Sequence, residues 1–278
     1  MATDRALLHF PVLSRADFLF FRLLGPGLGN LLFPMYRAFQ AQRLEGGQLV
    51  FPQFFQWKPG PWLRREKDAR AYGDLFRHRT PQEVLLHAKA VALRLSGHAE
   101  RLRVQEGLGR HFHDLDAAHQ ATFKQWLVNH YRHREALMQE LASISAQDIC
   151  VHIRRGDFAA ATTAAAQQGT MNYQIPDEWY VDAVRVARQS APGARVRVFT
   201  DAHTLEPALM AALGADEVDA SPNALHSMLR MSAHGTIVTS RSSFSLWAAY
   251  LGSGQAIVHR DFDLGRYMPD HAIRVIRC

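Results

Sequence analysis

With 278 residues, 47% of them apolar, and a formal net charge of +6, the chain has room for one large or two modest domains with full hydrophobic cores. The composition excludes a disordered chain and a disulfide scaffold, and the apolar run at residues 18–24 is cut by Arg22 and far too short to span a bilayer. Arginine carries most of the charge, lysine occurring only at Lys58, Lys67, Lys89 and Lys124, and the balance suits anionic partners: nucleotide sugars, acidic glycans, an anionic membrane face or nucleic acid.

Residues 1–14 lack a leader pattern, so the expectation is a cytoplasmic, bacterial-style enzyme without a Golgi-type anchor, peripheral at the inner face of the cytoplasmic membrane or in solution. Dense in aromatics and leucine, residues 18–24 read as a buried strand. Gly25-Pro26-Gly27-Leu28-Gly29-Asn30 follows as a loop, residues 31–43 as a helix, then Gly46-Gly47 and a strand at 48–51. Strand, glycine loop, helix and strand open a nucleotide-binding-like domain, in which glycine lets backbone approach a ligand; a tight turn that binds nothing is the plainer alternative.

Residues 52–79 mix aromatics, prolines and positive charge, among them Phe54, Phe55, Trp57, Trp62, Arg65 and Arg70. Such a stretch is either an acceptor-sugar platform or a surface loop whose rings fold back on the core. Helical spacing runs over 84–95 and 122–141. The pairs His111 with His113 and His130 with His133 lack a cysteine or carboxylate partner, and Asp114-Leu115-Asp116 and Asp261-Phe262-Asp263 are short matches of the kind that arises by coincidence, so no metal is expected.

A hinge is expected near 142–148, dividing an amino-terminal α/β domain, 1–141, from a second, 142–278. The second half alternates strands near 149–153, 196–199, 217–218, 236–239 and 256–258 with helices from Asp177, over 206–213 before Gly214, from Leu225 to Gly235, and over 244–251. That alternation means a parallel sheet with helices on both faces, and residues 159–174, rich in alanine, threonine and glutamine, read as a loop between the first strand and its helix. Two cysteines, Cys150 inside a strand and Cys278 at the last position, make a poor disulfide pair and suit a reducing compartment.

The first of these strands ends in Arg154-Arg155-Gly156-Asp157, where open α/β sheets bind ligands. Adjacent guanidiniums repel unless an anion or acid lies between them, and a diphosphate offers bidentate acceptors that suit arginine. Ser242 and Ser243 lie between a strand and a helix, either as an ordinary N-cap or as part of an anion site.

His152-Ile153-Arg154-Arg155-Gly156-Asp157 resembles the His-x-Arg-Arg-Gly-Asp motif of the GDP-fucose-dependent fucosyltransferases, most closely the bacterial α-1,2-fucosyltransferase family. Gly27-Leu28-Gly29-Asn30-Leu31-Leu32-Phe33 is similar to that family's amino-terminal Gly-Leu-Gly-Asn-Gln-Leu-Phe, and the segment from Ser242 to Leu251 to its late Ser-Ser/Thr-Phe-Ser-Trp-Trp. The resemblance implies two Rossmann-like domains in a glycosyltransferase B-type architecture, the first on the acceptor side and the second holding the nucleotide sugar. It implies inverting, metal-independent transfer of fucose from GDP-fucose to a sugar hydroxyl of an oligosaccharide or glycan, in α-1,2 linkage, during polysaccharide synthesis. Arg154 would stabilise the departing diphosphate, assisted by His152, Ser242, Ser243 and Phe244, with Gly29 and Asn30 also touching the donor. Arg155 is either a second phosphate ligand or a partner of Asp157, and the base is Asp157 or Glu178. Two positions depart from the pattern: Leu31 replaces a glutamine, and Ser227 stands where the family carries an aspartate that binds guanine, leaving Asp219 as an alternative reader of the base or the donor altered. A transferase using another nucleotide sugar, and a non-catalytic binder of glycan or nucleic acid, remain alternatives; the arginines are dispersed rather than gathered along one helix, so nucleic acid is not expected.

Overall fold

In the computed structural model, which describes residues 6–63, 65, 69–107, 111–156, 158, 173–219, 221 and 223–278, the chain divides between Arg132 and His133 into two units. Residues 65–68 group with the second. Both units carry parallel sheets flanked by helices, an α/β organisation.

The first unit is built on β1 (Leu8–Pro11), a buried strand ahead of the first one the sequence suggests. It is flanked in parallel by β4 (Gln48–Leu49) and β6 (Leu102–Gln105). Between β1 and β4 runs α1 (Leu28–Glu45), burying Leu28, Leu31, Leu32, Met35, Tyr36 and Phe39 at helical spacing. The helix thus begins three residues earlier than its pattern suggests and takes Gly29 and Asn30 into its first turn.

Residues 18–24 are not a buried strand. They form a tight hairpin of β2 (Ala16–Asp17) against antiparallel β3 (Arg22–Leu23), with Leu19 in the left-handed region at φ 67°, and β5 (Gln56–Trp57) extends it in parallel. Burial is inverted relative to hydropathy. The guanidinium of Arg22 is inside, donating to the carbonyls of Leu13 (3.0 Å) and Phe54 (2.8 Å), while Phe18, Phe20 and Leu24 are more than half exposed. Hydrogen bonds from both terminal nitrogens offset much of the cost of burying the guanidinium, although its Nε has no partner. Burial still lowers its pKa to about 10, with Asp17 and Tyr72 opposing the shift.

After α2 (Pro59–Leu63), α3 (Pro81–Leu95) starts on a reciprocal cap: Thr80 accepts from Glu83 N, Glu83 accepts from Thr80 N, and Pro81 takes the first turn. The single helix expected over 122–141 is two, α4 (Gln120–His130) and α5 (Arg134–Ala142). Tyr131 turns extended at ψ 137° and bridges Phe76, and Arg132 N donates to Leu75 O, so a tertiary contact ends a helix whose periodicity continues.

In the second unit, the stretch expected as a hinge is a tied turn. Asp148 accepts from Ser145 N and pairs with Arg195 at 2.9 Å. Next come β7 (Ile149–Ile153), β8 (Val196–Thr200), β9 (Glu217–Asp219), β10 (Thr236–Val238), β11 (Gln255–Val258) and β12 (Arg274–Arg277). All pair in parallel in the order β9-β8-β7-β10-β11-β12. The first strand is central and the order reverses between it and the fourth, the doubly wound pattern that puts ligand sites at that reversal. α6 (Asp177–Ser190) lays Trp179, Tyr180, Ala183, Val184 and Ala187 on the core that includes Ile149, Val151 and Ile153. Its cap position is Pro176 rather than Asp177, which lies in the first turn. α7 (Pro207–Leu213) stops at Gly214 in the left-handed region, φ 57°, as glycine allows. α8 (Ala224–Met231), capped by Asn223, packs on α9 (Ser243–Leu251).

Cys150 and Cys278 are both free thiols, the first fully buried, and burial pushes its pKa up. No described helix is long and apolar enough to cross a membrane.

Candidate functional site

β7 and β10 end side by side where the second sheet's order reverses, with β8 on the other side of β7. From the end of β7 come Arg154 and Arg155, from β10 the run Ser240, Arg241 and Ser242, and from β8 a carboxylate that sequence reasoning passed over, Asp201. Its Oδ2 lies 3.0 Å from Arg154 Nε and its Oδ1 accepts from Arg155 N at 2.8 Å. The acid that two adjacent guanidiniums require is therefore supplied by the neighbouring strand. The Arg154 guanidinium also stacks 5.2 Å from the Phe158 ring. Gly156 is needed here because a Cβ would overlap the Asp201 carboxylate. The only sequence trace of Asp201 is an acid directly after a strand.

Arg155, expected as a phosphate ligand or as the partner of Asp157, has partners on and before α6. Its guanidinium pairs with Asp177 and donates to Ile175 O at 3.0 Å, bracing the end of β7 against the first turn of α6. Asp157 and residues 159–172 of the expected loop lie outside the described residues. At the loop's end, Gln174 donates to Phe158 O at 2.7 Å. Glu178, the other candidate base, is exposed in the first turn of α6.

His152 faces inward, 3% exposed, with Nδ1 2.7 Å from Ser240 Oγ and its ring 5.2 Å from that of Phe244. Burial pushes its pKa down to about 3, helped by Arg154 and opposed by Asp201, so the imidazole is neutral at ordinary pH. It supports the floor of the site. Ser242 is the N-cap of α9, accepting from Ser245 N at 3.3 Å, and Ser240, Ser242 and Ser245 form one hydroxyl cluster. Ser243 and Phe244 are part-exposed at the helix start, where the aligned peptide dipoles favour negative charge.

Arg241 was also missed. It is 3% exposed, and one terminal nitrogen reaches His259 Nδ1 at 3.2 Å, while Nε and Nη1 have no hydrogen-bond partner; burial lowers its pKa against the pull of Asp261. The nearby Tyr180 hydroxyl is likewise buried without a partner. The reversal point thus gathers three guanidiniums, of Arg154, Arg155 and Arg241, against the carboxylates of Asp201 and Asp177.

Asp219, at the end of β9, is bonded to Ser227, the residue that stands where the resembled family has an aspartate: Ser227 Oγ donates to Asp219 Oδ2 at 2.6 Å. Ser221 N and Arg230 hold the other oxygen at 2.9 Å and 3.2 Å. Gly29 and Asn30 belong to the first unit, where Leu28 N at the same helix start donates to the Tyr72 hydroxyl at 2.8 Å. In that unit too, the aromatic and basic stretch borders a cavity of about 250 Å³ lined by Phe51, Phe54, Phe55, Tyr72, Arg77 and Arg79.

Among the described residues, no three histidine, cysteine, aspartate or glutamate side chains are grouped to hold a metal. His130 Nδ1 donates to Trp126 O and its ring stacks on that of Trp126 at 4.2 Å, and Asp116 and Asp263 cap short turns through Ala118 N and Arg266 N.

The family model described as glycosyl transferase family 11 matches residues 122–264, just over half of the chain, from α4 past the last of the site residues. No curated protein and no solved structure matches the chain.

Proposed function

The chain belongs to glycosyl transferase family 11, the α-1,2-fucosyltransferase family, and from this premise we propose that it moves fucose from GDP-fucose to a sugar hydroxyl, with inversion at the anomeric carbon and without a metal ion. A glycosyltransferase of this family takes a nucleotide-sugar donor and a glycan acceptor. The observation that carries the finer reading is the adjacency of β7 and β10, which brings Arg154, held by Asp201, to the strand end that leads into the Ser242-capped start of α9.

When the glycosidic bond breaks, negative charge builds on the departing diphosphate while positive charge spreads over the sugar ring. A guanidinium and a helix start fixed in advance stabilise that charge without reorganising, each such donor contributing roughly 3–4 kcal/mol. Arg154 and the start of α9, at Ser243 and Phe244, take this role. Arg155 and His152 act as positioning residues. Asp157 or Glu178 accepts the acceptor's proton. Asp219, bonded to Ser227, reads the guanine, Gly29 and Asn30 help to hold the donor, and the acceptor sugar binds at the aromatic cavity of the first unit. Linkage to the 2-hydroxyl, a role in polysaccharide synthesis and work at the cytoplasmic face of an anionic membrane complete the reading, the last supported by the net charge of +6.

The test is a transfer and donor-hydrolysis assay across a panel of nucleotide sugars, with and without EDTA. Turnover of GDP-fucose that survives the chelator is expected; turnover of a different donor alone, or complete loss with EDTA, overturns the proposal.

A further inference from the structure

Among the described residues, thirteen large apolar side chains stand exposed, and eight of them fall in two short segments, residues 18–24 and 55–63. Ordinary surfaces scatter such groups singly. Here they are drawn together by the three-stranded sheet of β2, β3 and β5. The rings of Phe18 and Phe21 stack at 5.1 Å across the hairpin turn, with Phe20 at its tip 64% exposed. Leu24 N bonds Trp57 O at 3.0 Å, so Leu24 and Trp57, 60% and 63% exposed, continue the surface, and Trp62 and Leu63 extend it along α2.

The charge follows the rings. In sequence, residues 15–25 and 51–79 carry nine arginines and lysines against four aspartates and glutamates; Arg22 is buried and Arg77 is paired with Glu83, while Arg15 is exposed and Lys58 and Arg70 are part-exposed. We propose that this hairpin and α2 form a docking surface for an anionic lipid bilayer, the rings entering the headgroup region while the surrounding cations meet lipid phosphates. Tryptophan and phenylalanine favour that boundary, and each lysine or arginine near an anionic leaflet adds attraction. A sugar platform fits this surface less well: leucines do not stack on pyranose faces, Phe18, Trp57, Trp62 and Leu63 lie outside the cavity that Phe20 and Phe55 border, and carboxylates to accept from sugar hydroxyls are few. The proposal gives a surface to the membrane contact in the proposed function and rests on that part of it, but not on the transfer activity.

Flotation of the full chain with phosphatidylcholine vesicles, with and without phosphatidylglycerol, tests it against the variant Phe18→Ser/Trp57→Ser/Trp62→Ser. These side chains lie outside the cavity lining and are exposed, and an unfolding midpoint no lower than that of the wild type verifies the fold. Wild type is expected to float with the anionic vesicles, less so at high salt, and the variant's partition to fall at least about tenfold. In parallel, Phe18→Ser, which keeps both exposed tryptophans, should be quenched by brominated lipids. Wild type that ignores both kinds of vesicle, or a triple variant that floats as well, overturns the proposal. So does a wild-type dimer that the triple substitution dissociates, which assigns the patch to a second copy, or an acceptor sugar whose affinity falls while vesicle binding stays.

Discussion

Asp201 fixes the geometry of the site. One carboxylate oxygen holds Arg154 Nε and the other the backbone of Arg155, so the first arginine is aimed rather than loose. Asp201→Asn keeps an acceptor for Arg155 N and removes the charge opposite Arg154. Pre-set orientation is worth large rate factors, so kcat should fall on the order of 10²-fold, with a much smaller change in donor KM and an unchanged unfolding midpoint. Steady-state kinetics on GDP-fucose checks this, and an unaltered kcat would show that Arg154 needs no such anchor.

The second unit was the more readable in sequence because its elements are plain. β7 and β8 are apolar runs buried on both faces, α7 stops at a glycine and α9 starts at a serine cap, and the paired arginines at the end of β7 advertise an anion site. Asp201 was illegible because one acid after a strand has no local partner; its partners are 46 and 47 positions earlier in the chain and meet it only through strand pairing. Arg241 shows the same limit, since a serine-rich turn hides how deeply its guanidinium is buried. β12 has arginines at both ends and a half-exposed pattern, which gives no apolar run. In the first unit, hydropathy misled at residues 18–24, where carbonyls around Arg22 outweigh its charge and the phenylalanines are left outside. Helical periodicity misled at Tyr131, where contacts with Leu75 and Phe76 end α4.

Across the whole molecule, buried neutral histidines make stability depend on pH. Burial lowers His152 to about 3 and His234 to about 4, from 6.5 in an unfolded chain. The unfolded state therefore binds more protons below about pH 6.5, so the stabilisation is complete above that value and is lost progressively as pH falls toward the folded pKa values. Glu217 adds to the same trend at lower pH: burial raises its pKa, but Arg230 and Arg197 outweigh this and hold it below the usual range. Urea titrations should show the unfolding free energy falling from about pH 7 to about pH 5. A flat profile over that window would mean that the histidines are not buried neutral.

In the proposed mechanism a guanidinium at the reversal point of the second sheet stabilises the departing nucleotide diphosphate. Turnover of GDP-fucose by Arg154→Ala, compared with wild type at saturating donor and with folding verified by thermal unfolding, tests it most directly. A loss of roughly 10²–10³ in kcat with the fold intact is expected. A folded Arg154→Ala enzyme turning over at the wild-type rate would contradict it.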